Sequence, residues 1–203
     1  MKSNSQKKLS NKTLRLTETA IFIAVAFVLS LIPVINLPRG GSVTVFSQLP
    51  IIMLAFRYGT PWGLLSGVVY GLLQMMTGLA NFSYVTGIGS ILVVALCDYL
   101  VAFGALGLGG VFKGKIKSQS LALACGATVA SLLRLICHII SGSTVWKGYA
   151  GSDAWGAIIK FSIVYNSSYM IPELIVTVIG AVALSKVFDF TSENITLTKK
   201  KSK

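Results

Sequence analysis

Four ionisable side chains lie inside strongly apolar stretches of the sequence, where a charge is costly unless it has a partner or a function. They are Asp98, Arg134, His138 and Glu173. Two acids, one permanent cation and one imidazole can bind a cationic or hydrogen-bonding ligand, couple transport to an ion, or form buried ion pairs. These residue types alone leave all three kinds of chemistry open.

Spacing places one set of these residues on a common helix face. Arg134, His138, Gly142 and Trp146 follow one another at intervals of four in the fifth apolar segment. Asp98 lies about ten residues into the fourth segment, or about 15 Å at 1.5 Å per residue, which is near the membrane midplane. We therefore expect an inner wall that rises from Arg134 toward the outer surface.

A polar and aromatic run interrupts the sixth apolar segment, where lipid-facing residues would be aliphatic. It consists of Tyr165, Asn166, Ser167, Ser168 and Tyr169. An acid, an imidazole, an amide and several aromatic rings from three helices have the composition of a pocket for a flat polar molecule. With a neutral histidine, the two acids outnumber the single arginine, and a cationic ligand would balance that charge.

A purely structural interpretation uses the same residues. Asp98 and Arg134 would form an ion pair, His138 would be a hydrogen-bonded core histidine, and the tyrosines and Trp146 would belong to the aromatic belt at the membrane interface. The residues themselves do not decide between a pocket and this interpretation.

Composition identifies the environment in which these residues must be positioned. The chain has 203 residues, 54% of them hydrophobic and only 12% charged, whereas soluble domains carry about a quarter charged residues. Its mean hydropathy of +0.76 indicates a membrane protein. The net charge of +12 is concentrated in the tails and one loop, which argues against a nucleic-acid partner.

Apolar runs, measured against the about 20 residues that a membrane helix needs, divide the chain into six predicted spans, of which the second is short and contains Pro50. They are 17–33, 43–57, 61–79, 87–111, 120–142 and 160–188. Thr17 is the predicted cap of the first helix and Pro33 closes it, while Pro172 predicts a short lead-in and then a kinked last helix. The expected fold is an all-α bundle (17–188) between basic tails, 1–16 and 189–203.

Basic residues set the orientation of such a bundle, because cytoplasmic loops are enriched in Lys and Arg. They concentrate in both tails and in the segment 113–117. With both termini inside, only Arg39, Lys147 and Lys160 lie outside. The sequence therefore predicts cytoplasmic termini, with the basic tails in contact with anionic membrane lipid.

Small residues recur at intervals of four in two helices, which allows close helix contact. One stripe is Gly63, Gly67 and Gly71 in the third helix, and the other is Ala20 and Ala24 in the first. Each stripe can serve internal packing or form a docking face for another membrane subunit.

Two apparent motifs and the cysteines predict no further chemistry. Gly109, Gly114 and Lys115 have the spacing of a phosphate-binding loop, but Ile116 stands where Ser or Thr must bind magnesium. Ser42 and His138 would suit an intramembrane hydrolase only within hydrogen-bond reach. Three cysteines, all in apolar runs, do not make a zinc site. We expect no metal, no cofactor and no catalytic residue.

Several motifs together resemble a known family. They are Thr17-Glu18 with Ala20 and Ala24, Leu37-Pro38-Arg39-Gly40-Gly41-Ser42-Val43, Cys97-Asp98-Tyr99-Leu100-Val101-Ala102, Leu133-Arg134 with His138-Ile139-Ile140-Ser141-Gly142, and Tyr165-Asn166-Ser167-Ser168-Tyr169-Met170. On these residues the chain resembles, over nearly its whole length, the thiamine-specific substrate-binding subunits (S-components) of energy-coupling-factor (ECF) vitamin transporters of the bacterial cell membrane.

The resemblance implies a role for each matching residue. Asp98 and Tyr99 would bind the aminopyrimidine of thiamine, His138 and Trp146 would lie around its thiazolium, and Asn166 would contact the pyrimidine. The same pocket would include Phe161, which replaces a tyrosine of some relatives, and Tyr169. Gly40 and Gly41 would be the pivots of a lid loop.

The resemblance also implies partners. The S-component captures the vitamin outside the cell, and a transmembrane coupling subunit with two cytoplasmic ATPase subunits drives uptake. Ala20 and Ala24 match the motif through which the first helix docks on that coupling subunit.

Two other transport functions remain open. One is an S-component for a related pyrimidine or pyridoxine-like vitamer, which Phe161 keeps possible. The other is a stand-alone ion-coupled carrier that uses Asp98 and Glu173 as coupling sites.

Overall fold

The computed structural model describes residues 4–191 and 195–198, and most of them are helical. The elements in this range are, in chain order, α1 (Asn4–Ser30), β1 (Pro33–Asn36), β2 (Ser42–Thr44), α2 (Leu49–Tyr58), α3 (Thr60–Thr77), α4 (Ile88–Val93), α5 (Val101–Gly104), α6 (Gln119–Thr144), α7 (Trp155–Val187), β3 (Phe188–Asp189) and β4 (Thr196–Leu197).

The fourth predicted segment is a single helical stretch that changes its winding. After α4 the backbone forms a π-helical turn over Val94–Leu100, then α5, then a 3-10 helix over Ala105–Gly110. A π-helical turn inserts an extra residue per turn and is frequent at functional sites. This turn contains Asp98 and Tyr99.

Each of the six predicted segments contains a helix, and four of the helices have the length of a membrane span. Within the described residues these four are Asn11–Ser30, Ile88–Gly110, Gln119–Thr144 and Trp155–Val187. Helix α2 has ten residues, which is about 15 Å, or half the hydrocarbon thickness of a bilayer.

Helix α1 differs from the prediction at both ends. It is already helical at Asn4, so Thr17 is not its cap, and it ends at Ser30 rather than at Pro33. Residues 4–30 contain neither Pro nor Gly, and nothing in that stretch stops a helix. Pro33 instead opens strand β1.

A β-hairpin lies between α1 and α2, where the sequence predicted only helix and loop. Strand β1 pairs antiparallel with β2, and a 3-10 turn over Pro38–Gly40 connects them. Prolines 33 and 38 oppose helix here, and the β-branched residues between them favour extended backbone. The second predicted segment therefore begins as helix at Leu49 and not at residue 43.

The last helix is longer than predicted. Helix α7 runs unbroken from Trp155 to Val187 with Pro172 inside it, so it begins before residue 160 and the segment is not divided into a short lead-in and a separate helix. Proline is tolerated within helices of membrane bundles because neighbouring groups satisfy the carbonyl that it frees.

The glycine stripe of α3 serves internal packing. A Cβ on Gly71 would lie 2.8 Å from the carbonyl oxygen of Tyr99, and one on Gly67 would lie 3.0 Å from Cα of Gly104. The absence of side chains lets α3 pack directly on the backbone of the stretch from 88 to 110. Of the two possible uses of this stripe, the structure shows the internal one.

The alanine stripe of α1 points the other way. Ala20 and Ala24 are exposed, and within residues 11–30 of this helix only Ile23 and Ala26 are buried. The carboxylate of Glu18 fixes α1 to the end of α2, where it accepts hydrogen bonds from Arg57 and Tyr58. The basic residues at 2, 199, 200, 201 and 203, which support the predicted orientation, lie outside the described residues.

We predict that Gly67→Ala destabilises the protein, because the added Cβ would collide with backbone at Phe103 and Gly104. Overpacking of this kind costs about 1–3 kcal/mol. Gly89→Ala is the matched control, since Gly89 is also helical and a Cβ there meets nothing within 4 Å. Thermal unfolding in detergent measures both variants, and equal melting temperatures would contradict the packing described for α3.

Candidate functional site

A polar cavity of about 720 Å³ lies between the helices and the turn that joins β1 to β2. Its walls come from α3, the π-helical turn, α6 and α7, and a cavity of this size can enclose a small organic ligand. All predicted pocket and lid residues line it: Gly40, Gly41, Asp98, Tyr99, His138, Trp146, Phe161, Asn166 and Tyr169.

Asp98 accepts hydrogen bonds from donors that lie close together. The hydroxyl of Ser141 donates to Oδ2 at 2.8 Å, and the indole N–H of Trp146 donates to the same oxygen at 3.0 Å. On the other side, Nδ1 of His138 lies 3.2 Å from Oδ1. This set of donors surrounds the carboxylate of Asp98 at the cavity wall.

His138 presents its second nitrogen without a protein partner. Nδ1 faces Asp98, while Nε2 is buried and makes no hydrogen bond in the part of the chain that the structure describes. When Nδ1 of a neutral imidazole carries the proton, Nε2 is an acceptor. His138 therefore offers a lining atom that a ligand donor can satisfy.

The second carboxylate, and not Asp98, pairs with the arginine. Nη1 of Arg134 lies 3.0 Å from Oε2 of Glu173, and both side chains are buried. The alternative of an Asp98–Arg134 ion pair is therefore wrong. The cause is the position of Glu173 on α7, which faces Arg134 across the α6–α7 contact, whereas Asp98 contacts Ser141 near the C-terminal end of α6.

The ion pair also anchors the hairpin. Oε1 of Glu173 accepts hydrogen bonds from Thr44 at 2.5 Å and from Ser47 at 3.1 Å. Thr44 ends strand β2, and Ser47 lies just before α2. One buried carboxylate thus connects the hairpin, α6 and α7 at the base of the cavity.

These contacts count against two of the alternative functions. Glu173 is only 2% exposed and fully engaged, so it is not available as an ion-coupling site. His138 turns Nδ1 to Asp98 and leaves Nε2 without a hydrogen bond among the described residues. It therefore does not activate the Ser42 hydroxyl as a hydrolase would require.

Helix α7 supplies a polar and aromatic wall. Asn166 is 5% exposed; its amide nitrogen donates to the carbonyl of Ser162 at 2.9 Å and its oxygen accepts from the hydroxyl of Tyr169 at 2.8 Å. Gly142 allows this wall to approach α6, since a Cβ there would lie 3.1 Å from Nδ2 of Asn166. Asn166 is therefore held in place by its own helix and by Tyr169.

Tyr99 lies on the side of the cavity near α3. Its hydroxyl accepts from Nδ2 of Asn81 at 2.9 Å and donates to the carbonyl of Gly78 at 3.3 Å, and its ring stacks on Phe82 at 5.9 Å. The sequence motif joined Tyr99 to Asp98, but the structure directs their side chains to different parts of the cavity.

Sequence reasoning missed Asn81, Thr44 and Ser47, all of which line the cavity. Asn81 lies in the 3-10 stretch between α3 and α4, and Thr44 and Ser47 flank the end of the hairpin. Short polar side chains are common in the connections between helices, so their spacing does not indicate a binding site. Thr44 and Ser47 lie inside the second predicted span, 43–57, and the signal that could have found them is their polarity within an apolar run.

Fold and cavity together define a class of protein. The chain is a multi-pass membrane protein in which a helix bundle and a short hairpin enclose a polar, aromatic-lined ligand cavity.

The particular family follows from sequence comparison. The chain belongs to the thiamine transporter protein family (Thia_YuaJ), whose profile matches residues 16–191. It is 31% identical to the thiamine transporter ThiT of Bacillus subtilis over 183 residues, which is 84% of this chain and 89% of that protein. It is 26% identical to ThiT of Lacticaseibacillus paracasei over 175 residues, or 80% and 82% of the two chains.

Solved structures agree with this assignment. The structure of ThiT from Listeria monocytogenes superposes with a TM-score of 0.69 at 28% identity and covers 86% of this chain and 94% of its own. A structure described as the S component of a bacterial ECF transporter superposes with a TM-score of 0.57 at 22% identity, covering 85% and 94%, and shows a shared fold. The family predicted from the motifs is confirmed, and it is a transport family of the cell membrane.

We predict that Glu173→Gln destabilises the protein, because it leaves the guanidinium of Arg134 buried without a counter-charge. Breaking one partner of a buried pair costs about 3–5 kcal/mol. The double variant Arg134→Gln/Glu173→Gln removes both charges and should recover part of that loss. Melting temperatures in detergent test this, and a double variant less stable than Glu173→Gln would contradict the pairing.

Proposed function

We propose that this chain is the S-component of an ECF transporter, which captures thiamine at the outer membrane face and releases it inward with the help of ATPase partners. Family membership and the transporter names of its relatives support this. The observation that carries the proposal is the environment of Asp98. Because Arg134 is engaged by Glu173, the charge of Asp98 remains for a ligand.

Thiamine has two chemical features that match this environment. Its aminopyrimidine carries N–H donors, and its thiazolium carries a permanent positive charge. We assign the aminopyrimidine to Asp98, where a charge-assisted hydrogen bond is available. His138 and Trp146 lie beside the thiazolium, where an aromatic face attracts a cation.

The remaining predicted residues complete the pocket. Tyr99 closes the side toward α3, and Asn166, Tyr169 and Phe161 form the wall of α7. In this assignment Asn166 contacts the pyrimidine through its amide, which Tyr169 orients by its hydrogen bond. Gly40 and Gly41 belong to a lid over the cavity.

We further propose the membrane arrangement. Six helices lie in the bilayer with both termini in the cytoplasm, so that residues 17–188 form the binding domain and the basic tails, 1–16 and 189–203, contact anionic lipid. The distribution of Lys and Arg along the sequence supports this orientation. Helix α2 then occupies only part of the membrane thickness, since it has ten residues.

Coupling to the partners uses α1. Ala20 and Ala24 lie on an exposed face of this helix, which suits close packing against a helix of the transmembrane coupling subunit. The contact of Glu18 with Arg57 and Tyr58 holds the inner part of α1 in position for docking. Two cytoplasmic ATPase subunits, bound to the coupling subunit, supply the energy.

We predict that Asp98→Asn weakens thiamine binding by about 1.5–3 kcal/mol, the range for a hydrogen bond to a charged group. Asn keeps the size of the side chain but removes the charge that attracts the aminopyrimidine and thiazolium. Titration calorimetry with thiamine on the detergent-purified protein measures the loss, and pyridoxine in the same assay tests the related-vitamer alternative.

The matched control for Asp98→Asn is Asp153→Asn, because Asp153 is exposed in the connection between α6 and α7. It should bind thiamine like the unaltered protein. Equal affinity of the Asp98→Asn protein would remove Asp98 from the site, and tighter binding of pyridoxine than of thiamine would assign another vitamer.

We predict that Ala20→Trp or Ala24→Trp abolishes ATP-dependent uptake but preserves thiamine binding, because a large side chain blocks approach of the coupling subunit. Uptake is measured in vesicles reconstituted with the partner subunits, and binding in detergent. Ile179→Trp is the control, since Ile179 is 61% exposed on α7. Uptake by the Ala20→Trp and Ala24→Trp proteins at the level of the control would contradict docking through α1.

A further inference from the structure

The turn that joins β1 to β2 is closed by few contacts of its own. Within residues 37–41, the N–H of Leu37 donates to the carbonyl of Gly41 at 2.7 Å, and Gly40 has a positive φ of 91°, which favours glycine. The turn lines the cavity through Gly40 and Gly41. Contacts with the helices therefore hold this turn in place.

One side chain of α7 contacts both limbs of the turn. The hydroxyl of Tyr165 accepts a hydrogen bond from the N–H of Gly41 at 2.9 Å and donates one to the carbonyl of Pro38 at 2.7 Å. A hydroxyl can donate and accept at the same time. A single oxygen of α7 thus bridges the two ends of the turn.

On the turn side of this contact, Gly41 fits closely against α7. Gly41 has an ordinary extended backbone, with φ of −67°, so conformation does not require glycine there. Space does, because a Cβ would lie 2.8 Å from the ring of Tyr169 and 2.9 Å from the hydroxyl of Tyr165. The backbone at Gly41 is seated directly on the two tyrosines.

The ring of Tyr165 is itself braced by cavity residues. It stacks on Phe161, with ring centroids 5.9 Å apart, and meets Tyr169 edge to face at 5.8 Å. Tyr169 in turn donates to Asn166. Tyr165 itself lines the cavity beside these side chains, and Phe161 supports it with an aromatic face that needs no hydroxyl.

We propose that Tyr165 is a positioning residue that latches the turn over the cavity, and that Gly41 is the surface on which the latch closes. The proposal rests on the proposed capture of thiamine in this cavity, and it deepens that function. Tyr165 acts through the turn, so it sets how fast a bound ligand leaves rather than how the ligand is recognised.

The first test is the variant Tyr165→Phe, which keeps the braced ring and removes the oxygen. We expect thiamine to dissociate about tenfold faster, the scale of one or two net hydrogen bonds, while the association rate stays within about twofold. Displacement of labelled thiamine measures dissociation from the detergent-purified protein. Tyr58→Phe, which removes a hydroxyl bonded to Glu18 away from the cavity, is the matched control and should leave both rates unchanged.

The second test needs no ligand. Hydrogen exchange followed by mass spectrometry reports local opening of the backbone, and the N–H of Gly41 is one of the groups that the latch protects. In Tyr165→Phe the amides of residues 37–41 should exchange faster in the ligand-free protein, with exchange elsewhere unchanged. If the cavity did not bind thiamine, this difference in exchange would still be observed.

A double-mutant cycle tests whether Gly41 and Tyr165 act together. Gly41→Ala should speed thiamine release in the otherwise unaltered protein, because its Cβ pushes the turn away from Tyr165, and it should add less in the Tyr165→Phe background, where only the close contact with the ring of Tyr169 remains. Unchanged exchange of residues 37–41 in ligand-free Tyr165→Phe would overturn the latch even if thiamine left faster, since Tyr165 would then act as a ligand contact. Slower association with unchanged dissociation would also overturn it, since loss of the latch must speed release.

Discussion

The site depends on supplying hydrogen-bond donors to a carboxylate inside a membrane protein. An isolated carboxylate is far less stable in apolar surroundings than in water, so Asp98 requires donors within its reach. Ser141 and Trp146 supply them, and His138 adds a third contact. This requirement fixes the π-helical turn against the C-terminal half of α6, and it places an imidazole and an indole at the same edge of the cavity. The donor set that stabilises the charge therefore also forms the wall that a cationic ligand would meet.

Glu173 has the same chemistry as Asp98 and a different role, because its environment differs. It is buried against a full positive charge on Arg134 and two hydroxyls, from Thr44 and Ser47. That carboxylate has a structural role, because it connects the hairpin to α6 and α7. Of the two acidic residues that line the cavity, Asp98 is the one that no arginine neutralises. The cavity therefore has an internally paired carboxylate at Glu173 and a carboxylate at Asp98 that is held by neutral donors and the imidazole of His138.

Small residues have two opposite uses in this fold. The glycines of α3 face inward, where they bring its backbone onto the helical stretch that carries Asp98. The alanines at 20 and 24 face outward on a helix that buries little of itself. Helix α1 is therefore the element with the most surface left for another membrane protein, while Glu18 prevents it from separating from α2.

The sequence alone determined the membrane class, the six helical segments, the stripe from Arg134 to Trp146 on one helix face and the family. Composition and periodicity are local properties, and a helix face or a motif is already present in the order of residues. Tertiary structure decided what local patterns do not contain. Arg134 pairs with Glu173, 39 positions away, and Thr44 reaches the same carboxylate across 129 positions. The hairpin, the π-helical turn and the hydrogen bonds of Tyr165 to the turn likewise arise from packing between distant segments, because each is stabilised by a partner whose approach no spacing along the chain specifies.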